Sequence, residues 1–394
     1  MSRAHSLAVW LLALGLLLIY AGSYYAFPAL LPMLEAETGW GKPALALGPT
    51  LGALSMAALT PVTGRFVDRG HGRRLLVVMP PFAALAMAAL AWAPGPAVWW
   101  AAWVVLGAAQ AGCVYETVFS QLTRRFGAEA RGAITRITML AGLSGTLTFP
   151  LGHWLGIAFG GRAAFLGFAA LALLGTLPLY ALAVRLLGPE PPQPPHRAGD
   201  GSALGQALRG RAFWVIATIF AACWLNHGLL LTYILPLFHD RGVSPSVATL
   251  AAACLGPAQV AGRFVLMVGG ARLRNAPTTK LSIASVVVAA LLLLAAGLAP
   301  GLVFLVVALQ GAGMGLMSIM RPMLLVDALG RRGFGAISGV AAVSPILAGA
   351  LAPSLGASLL TQWGPMGIYL ALILLSAVSL ILALTQLAPR PREG

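Results

Sequence analysis

Apolar residues run through this chain in long blocks, and short stretches of polar, charged or glycine residues separate one block from the next. A helix needs about 20 mostly apolar residues to cross the hydrocarbon core of a bilayer. Twelve blocks reach that length. They predict an all-α membrane protein with twelve transmembrane spans, at roughly 7–33, 43–63, 75–94, 97–121, 133–159, 162–185, 212–238, 246–268, 279–299, 301–326, 334–361 and 364–388.

The composition excludes an ordinary soluble globule. Of the 394 residues, 59% are hydrophobic and only 9% are charged, whereas about a quarter of the residues of a soluble domain are charged. The first apolar block is longer than the core of a signal peptide. We therefore predict that this block is retained as a span and that the whole chain has the lipid bilayer as its surroundings.

The distribution of charge gives the expected orientation. A net charge of +15 in a soluble protein would favour nucleic acid as a partner. Here, however, Lys and Arg gather in the loops on the side of the N-terminus, and only Lys42, Arg162 and Arg241 fall on the opposite side. Because loops rich in Lys and Arg face the cytoplasm, we expect a multi-pass protein of the cytoplasmic (inner) membrane with both termini in the cytoplasm, and no nucleic-acid partner.

Parts of the first half of the chain recur in the second. The tetrad Gly-Arg-Phe-Val at 64–67 is repeated letter for letter at 262–265, and Arg-Gly-Ala-Ile at 131–134 has the counterpart Phe-Gly-Ala-Ile at 334–337. Internal repeats in a membrane chain are typical of secondary transporters, whose substrate site lies near the midplane where the repeats meet.

The repeats predict the domain organisation. We expect an N-terminal six-helix half at 1–186, a cytoplasmic linker at 187–211 that begins with a proline cluster, and a C-terminal six-helix half at 212–394. Since one chain contains both halves, a monomer would suffice for function.

The loop between predicted spans 2 and 3 carries a recognisable signature. It reads Gly64-Arg65-Phe66-Val67-Asp68-Arg69 and then continues with glycines and the basic pair Arg73-Arg74. This pattern resembles the signature loop of the major facilitator superfamily, with one extra residue between Arg69 and Gly72. The resemblance implies twelve spans and alternating access by rocking of the two halves. Within that superfamily, the run from Tyr24 through Gly39-Trp40 to Arg65 and Asp68 looks most like the monocarboxylate and oxalate/formate transporters.

The same loop is predicted to act as a gate. Asp68 lies among cations at helix ends, where it can pair with arginine or with a helix N-terminus. Contacts of Asp68, Arg69, Arg73 and Arg74 that form in one conformation and break in another would latch the transporter. The alternative is a solvated basic loop that only sets the topology.

Predicted span 4 contains Glu116, the only carboxylate that falls well inside an apolar block. An acidic residue within the bilayer costs at least about 2.5 kcal/mol unless it faces a cavity, is paired or is protonated. We interpret Glu116 as a candidate proton-coupling residue. A static tie to an arginine, or a side chain that reaches water at the membrane surface, is the alternative.

The candidate substrate residues come from several spans. By resemblance, spans 1, 4, 7 and 10 line the central cavity, so Tyr20, Asn226, His227 and Arg321 would share it with Glu116. Tyr20 could instead belong to an interfacial aromatic belt, and His227 to the packing between helices.

On span 8, Gln259 and Arg263 are one helical turn apart on the same face. The pair is similar to the polar residue and arginine that bind the substrate carboxylate in monocarboxylate transporters, although some of these have Asp where Gln259 stands. An arginine that serves the gate is the alternative for Arg263. Guanidinium groups suit carboxylates because they bind them in a bidentate manner.

These residues predict a transporter rather than an enzyme. The sequence contains no phosphate-cradling loop, nucleophile–base pair or metal-ligand cluster, and we expect no cofactor and no bound metal. The leading hypothesis is a proton-coupled secondary transporter of a small organic anion, with Arg321 or Arg263 as the anion anchor. The alternatives are a proton-driven exporter of drug-like or cationic compounds, a copper(I) importer that uses Met314, Met317, Met320 and Met323 with Cys113, and a membrane sensor that does not transport.

Overall fold

The computed structural model describes residues 2–127, 130–188, 201–269, 273–330 and 334–387. These residues form helices, of which two short segments have the wider π-helical winding, and no strand occurs among them. The chain divides into two compact units, Met1–Pro195 (unit 1) and His196–Gly394 (unit 2). The division falls inside the linker predicted at 187–211.

The helices of unit 1 follow the apolar blocks of the first half. Two π segments interrupt these helices: Ala21–Tyr25 lies between the first and second α-helix, and Leu171–Thr176 lies between the ninth and tenth. The α-helices are α1 (Arg3–Tyr20), α2 (Ala26–Thr38), α3 (Lys42–Asp68), α4 (Gly72–Ala91), α5 (Pro96–Cys113), α6 (Tyr115–Phe126), α7 (Ala130–Ala141), α8 (Ser144–Phe159), α9 (Ala164–Ala170) and α10 (Leu177–Leu187).

Unit 2 has fewer and longer helices. They are α11 (Gly201–Arg209), α12 (Arg211–Asp240), α13 (Pro245–Ala253), α14 (Leu255–Gly269), α15 (Asn275–Ala295), α16 (Leu302–Leu329) and α17 (Phe334–Gln386). The first of these, α11, lies in the C-terminal part of the predicted linker. It packs Ala207, with the partly buried Leu204 and Leu208, against the hydrophobic core of the unit.

The described residues contain ten helical runs that are long and apolar enough to cross a membrane. The last of these runs covers two predicted spans, 11 and 12. They are the two arms of α17 on either side of Gly364, which interrupts the helix with φ 62° and ψ −163°. Predicted span 5 is built from the shorter helices α7 and α8, which meet at Gly142 and Leu143. With these two adjustments the all-α prediction of twelve spans is confirmed.

Small residues let pairs of spans approach closely within each unit. In unit 1 a Cβ added at Gly107 of α5 would overlap with the backbone of Gly52 on α3. In unit 2 a Cβ added at Gly262 of α14 would overlap with the carbonyl of Ala312 on α16. Helices in membranes associate through such small-residue contacts because lipid offers no hydrophobic driving force between them.

Candidate substrate site

Span 1 changes its winding next to the tyrosines that the sequence singled out. The π segment Ala21–Tyr25 interrupts the helix, and two of its carbonyls accept hydrogen bonds from side chains of other spans. Gln110 donates from Nε2 to the carbonyl of Ser23 at 3.0 Å, and the Thr148 hydroxyl donates to the carbonyl of Ala21 at 3.2 Å. π-Helical turns occur frequently at functional sites. This one follows Tyr20 directly and contains Tyr24 and Tyr25.

The tyrosines of span 1 meet aromatic residues of span 4. The ring of Tyr20 lies 4.9 Å from that of Tyr115 and 5.8 Å from that of Tyr24, measured between centroids, and the ring of Tyr115 lies 5.1 Å from that of Phe119. Tyr24 is 45% exposed, and Tyr20 is half-buried. We call these four residues the aromatic group of unit 1.

Glu116 lies beside this aromatic group. It follows Tyr115 in the first turn of α6, and it is within electrostatic range of Tyr20. A carboxylate in the first turn of a helix is favoured by the helix dipole. The sequence placed Glu116 well inside an apolar block, and the apolar run Pro96–Phe126 contains it. The helix of this run is interrupted just before Glu116, whose side chain is exposed on the surface of the chain.

The turn between α3 and α4 carries the predicted gate residues. Helix α3 ends at Asp68, and the N–H of His71 closes the helix end by donating to the carbonyl of Phe66 at 2.9 Å. Gly70, with φ 82°, takes the left-handed conformation that this type of helix end requires. The extra residue of the signature loop is thus accommodated in a regular helix-ending turn.

Among the gate residues, Arg73 makes a defined contact. Its Nη2 donates to the carbonyl of Val184, in the last turn of α10, at 3.1 Å. A cation at the C-terminal end of a helix is favourable. Arg69 and Arg74 are exposed, and the side chain of Asp68 lies outside what the structure describes. The predicted latch therefore remains a prediction.

Unit 2 brings together three of the predicted substrate residues. The Nε2 atoms of Gln259, on α14, and His227, on α12, lie 3.5 Å apart. Arg263, one turn further along α14, acts electrostatically on His227. Within the described part of the chain, the Nδ1 of His227 is buried and has no hydrogen-bond partner. We call these three residues the cationic cluster of unit 2, after the guanidinium of Arg263.

Asn226 precedes His227 but serves a different contact. Its side chain is 1% exposed, its Nδ2 donates to the carbonyl of Leu372 at 2.8 Å, and its Oδ1 accepts from Nε2 of Gln310 at 3.1 Å. Both ends of the amide are therefore bonded to other helices of unit 2. The sequence predicted Asn226 as a substrate ligand, and these bonds indicate instead a tie between α12, α16 and α17.

Helix α16 carries both Arg321 and the methionine series. Arg321 is half-buried and directly precedes Pro322, which lies inside the helix. Met314, Met317 and Met320 are buried in the hydrophobic core of the unit, where Met323 also packs. Soft, flexible methionine side chains commonly fill such cores, so this packing accounts for the methionine series without a metal.

Sequence reasoning missed the hydroxyl side chains that bond to interrupted helices. Thr63 donates to the carbonyl of Ala111 at 2.9 Å, and Tyr180 donates to the carbonyl of Cys113 at 3.0 Å. Both are polar groups inside apolar blocks, which is the signal that could have drawn attention to them. Their partners are distant in the sequence, so the pattern alone could not have paired them.

Polar and charged side chains within apolar helices are costly in a bilayer and mark the pathways of solutes and ions. The fold and these groups together define an integral membrane protein of the transporter class. The model of the Major Facilitator Superfamily matches residues 12–353, and the chain belongs to that superfamily. The assignment that the signature loop predicted is confirmed.

Solved structures agree with this assignment at the level of the fold. A bacterial homologue of the human lysosomal transporter Spinster, in an inward-facing and unoccupied conformation, has a TM-score of 0.70 and 17% identity, with 97% of this chain and 96% of that chain covered. The inward-facing and occupied conformation gives 0.70 and 15%, with the same coverage. A comparison with curated protein sequences found no match. The monocarboxylate and oxalate/formate branch remains a prediction.

Proposed function

We propose that this protein is a secondary active transporter of a small organic anion, most like the monocarboxylate and oxalate/formate transporters, and that it is coupled to protons. It works by alternating access of its two halves. The substrate carboxylate binds to the cationic cluster of unit 2, Gln259, His227 and Arg263, with Arg321 of span 10 as a further anchor. The observation that carries the proposal is the 3.5 Å distance between the Nε2 atoms of Gln259 and His227. Arg263 lies one turn from Gln259 on the same face of α14.

The chemistry of this cluster fits an anion. A guanidinium group, an imidazole and an amide all donate hydrogen bonds, and a carboxylate accepts them. Both carboxylates that the structure describes in unit 2 lie near helix ends: Asp240 bonds to Arg241 at 2.9 Å, and Asp327 accepts from Asn275 at 2.8 Å. Both described carboxylates of unit 2 are thus bonded to residues outside the cationic cluster. The cluster itself offers an anion positive and neutral hydrogen-bond donors.

Glu116 supplies the proton-coupling role in this proposal. It is a carboxylate on a membrane span, and its side chain lies on the surface of the chain. Burial favours the protonated form of a carboxyl group, and a nearby cation favours the ionised form. Protonation of Glu116 then accompanies uptake of the anion, and its release resets the cycle.

We also propose that the protein resides in the cytoplasmic membrane with both termini in the cytoplasm. The asymmetry of Lys and Arg among the loops supports this orientation. Each of the three cations assigned to the opposite side bonds to another group of the protein: Lys42 pairs with Glu35, Arg162 donates to the carbonyl of Ala93, and Arg241 pairs with Asp240.

The test is uptake of a panel of labelled carboxylates into proteoliposomes, with and without an inward proton gradient. Wild type is compared with Arg263→Ala, with Arg321→Ala and with Arg211→Ala, the last being an exposed arginine at the start of α12 that serves as the matched control. Loss of a charged hydrogen-bond partner is worth about 1.5–3 kcal/mol. We therefore expect KM to rise at least about tenfold for Arg263→Ala and to stay unchanged for Arg211→Ala.

A second candidate function is the export of an organic cation. The aromatic group of unit 1 with Glu116 beside it favours this reading, because aromatic faces and a carboxylate attract ammonium groups. Absence of carboxylate uptake at every pH, together with saturable uptake of a labelled organic cation that Glu116→Gln abolishes, would replace the anion proposal with this one.

A further inference from the structure

Span 4 is two helices, and the junction lies two residues before Glu116. Helix α5 ends at Cys113, Val114 has the extended backbone angles φ −103° and ψ −158°, and α6 begins at Tyr115. The residues around the junction include no proline. Kinks in helices have identifiable causes, and at this junction carbonyls accept hydrogen bonds from hydroxyl side chains.

The junction interrupts backbone hydrogen bonds that a continuous helix would make. In such a helix the carbonyls of Ala111 and Cys113 would accept from the N–H groups four residues later. Instead, the hydroxyl of Thr117 donates to the carbonyl of Ala111 at 2.9 Å, and the hydroxyl of Thr63 is shared between the carbonyls of Ala111, at 2.9 Å, and Thr60, at 3.0 Å. The hydroxyl of Tyr180 donates to the carbonyl of Cys113 at 3.0 Å.

Two of these three hydroxyls come from other spans, and the third comes from span 4 itself. Thr63 lies on α3, Thr117 on α6 and Tyr180 on α10, and the side chains of Thr117 and Tyr180 are buried. Within a bilayer an unsatisfied carbonyl costs several kcal/mol, so the hydroxyls stabilise the broken form of span 4. If the span straightened, the backbone bonds would return and the hydroxyls would be released. The two forms therefore differ mainly in the partners of the same carbonyls.

The bend decides where Glu116 points. Because Glu116 lies on the α6 side of the junction, a change in the angle between α5 and α6 moves it relative to α5. We propose that Tyr180 and Thr63 are positioning residues, whose hydroxyls hold the break in span 4 at Val114 and thereby fix the orientation of Glu116. The consequence for proton coupling rests on the function proposed above, whereas the mechanical claim does not.

The variants for the test remove a single hydroxyl each. Tyr180→Phe keeps the ring that packs against Gly15, and Thr63→Val keeps the volume of the side chain. The matched control is Thr176→Val. Thr176 precedes Tyr180 by one helical turn, is fully buried, and donates to the carbonyl of Gly15 at 3.1 Å on span 1 instead of span 4.

The first measurement is the distance between spin labels at Val105 on α5 and Thr123 on α6, both of which are exposed, in a background with Cys113, Cys223 and Cys254 replaced by Ala. In Tyr180→Phe and in Thr63→Val we expect the distance distribution to shift towards the ~27 Å that an unbroken helix gives between these positions. The double variant should shift it further, and Thr176→Val should leave it unchanged. An unchanged distribution in both single variants would overturn the proposal.

The second measurement is the pH profile of uptake in proteoliposomes. We expect the midpoint of the profile to move in Tyr180→Phe and to remain at the wild-type value in Thr176→Val. A shifted label distance in a protein without proton-driven uptake would support the positioning role of Tyr180 and Thr63 and refute the proposed function. An unchanged distance in a protein whose uptake loses its pH dependence on Glu116→Gln would support the function and refute the positioning role.

Discussion

Gly315 on α16 lies directly against the backbone carbonyl of Gln259 on α14, so that a Cβ at position 315 would overlap with it. Gly311 also lies close to α14, because a Cβ added at Gly311 would be 3.2 Å from the backbone nitrogen of Gln259. The distance between α14 and α16 is therefore set by glycines, and with it the position of the Gln259 side chain next to His227.

This contact gives the first prediction. Gly315→Ala should force α14 away from α16 at a cost of about 1–3 kcal/mol, because the atom it meets is backbone and cannot rotate away. We expect a lower melting temperature in detergent and a raised KM for uptake. Gly339→Ala is the control, since Gly339 is helical and a Cβ there meets no atom within 4 Å. Equal melting temperatures and KM values for the two variants would contradict the prediction.

The second prediction concerns the tie between Asn226 and Gln310. Asn226→Ala and Gln310→Ala should each destabilise unit 2 by about 0.6–1.7 kcal/mol, as interhelical hydrogen bonds do in membranes. Because the two residues share one bond, the double variant should lose less than the sum of the two single losses. Thermal unfolding measures the losses, and uptake assays should give a wild-type KM. A raised KM with unchanged stability would restore Asn226 as a substrate ligand.

The third prediction tests the coupling role of Glu116. Glu116→Gln removes the titratable carboxylate while keeping its shape, so proton-driven uptake should be lost and exchange of substrate across the membrane should persist. Both activities are measured in the same proteoliposomes. Glu37→Gln is the control, because Glu37 accepts a bond from the backbone N–H of Arg162 at the end of the helices. Proton-driven uptake that survives in Glu116→Gln would refute the role.

The fourth prediction concerns the turn between α3 and α4. Gly70 has φ 82°, where a side chain costs roughly 1–2 kcal/mol. Gly70→Ala should therefore lower the melting temperature and weaken the contact of Arg73 with Val184. Gly64→Ala is the comparison, since Gly64 is helical and a Cβ there meets nothing within 4 Å. There alanine should be neutral or stabilising. A stability loss of equal size at both positions would contradict the argument.

The twelve spans could be predicted because each one is an apolar block of sufficient length, and neither the π segments nor the broken helices change that property. The break at Val114 could not be predicted. The residues from Gln110 to Thr117 contain no helix breaker other than Gly112, and the hydroxyls that stabilise the break are contributed by Thr63 and Tyr180 from distant parts of the chain.

The repeated tetrad shows the same limit at the candidate site. Arg65 and Arg263 stand in identical Gly-Arg-Phe-Val contexts, yet Arg65 is exposed and Arg263 is half-buried beside His227. Their glycines differ as well, since a Cβ at Gly64 would meet nothing and one at Gly262 would overlap with Ala312. Neighbours on other spans make this difference, and the tetrad does not encode them.

The single-glycine junction at Gly364 bears on how the protein enters the membrane during synthesis. From Phe334 to Gln386 the chain contains no Asp, Glu, Lys or Arg, and Gly364 alone interrupts its helix. A nascent segment of this kind presents no charged loop at which the insertion machinery could stop between its two arms. Spans 11 and 12 should therefore enter the bilayer together as one helical hairpin, oriented by the arginines that flank it at 331–332 and 390–392.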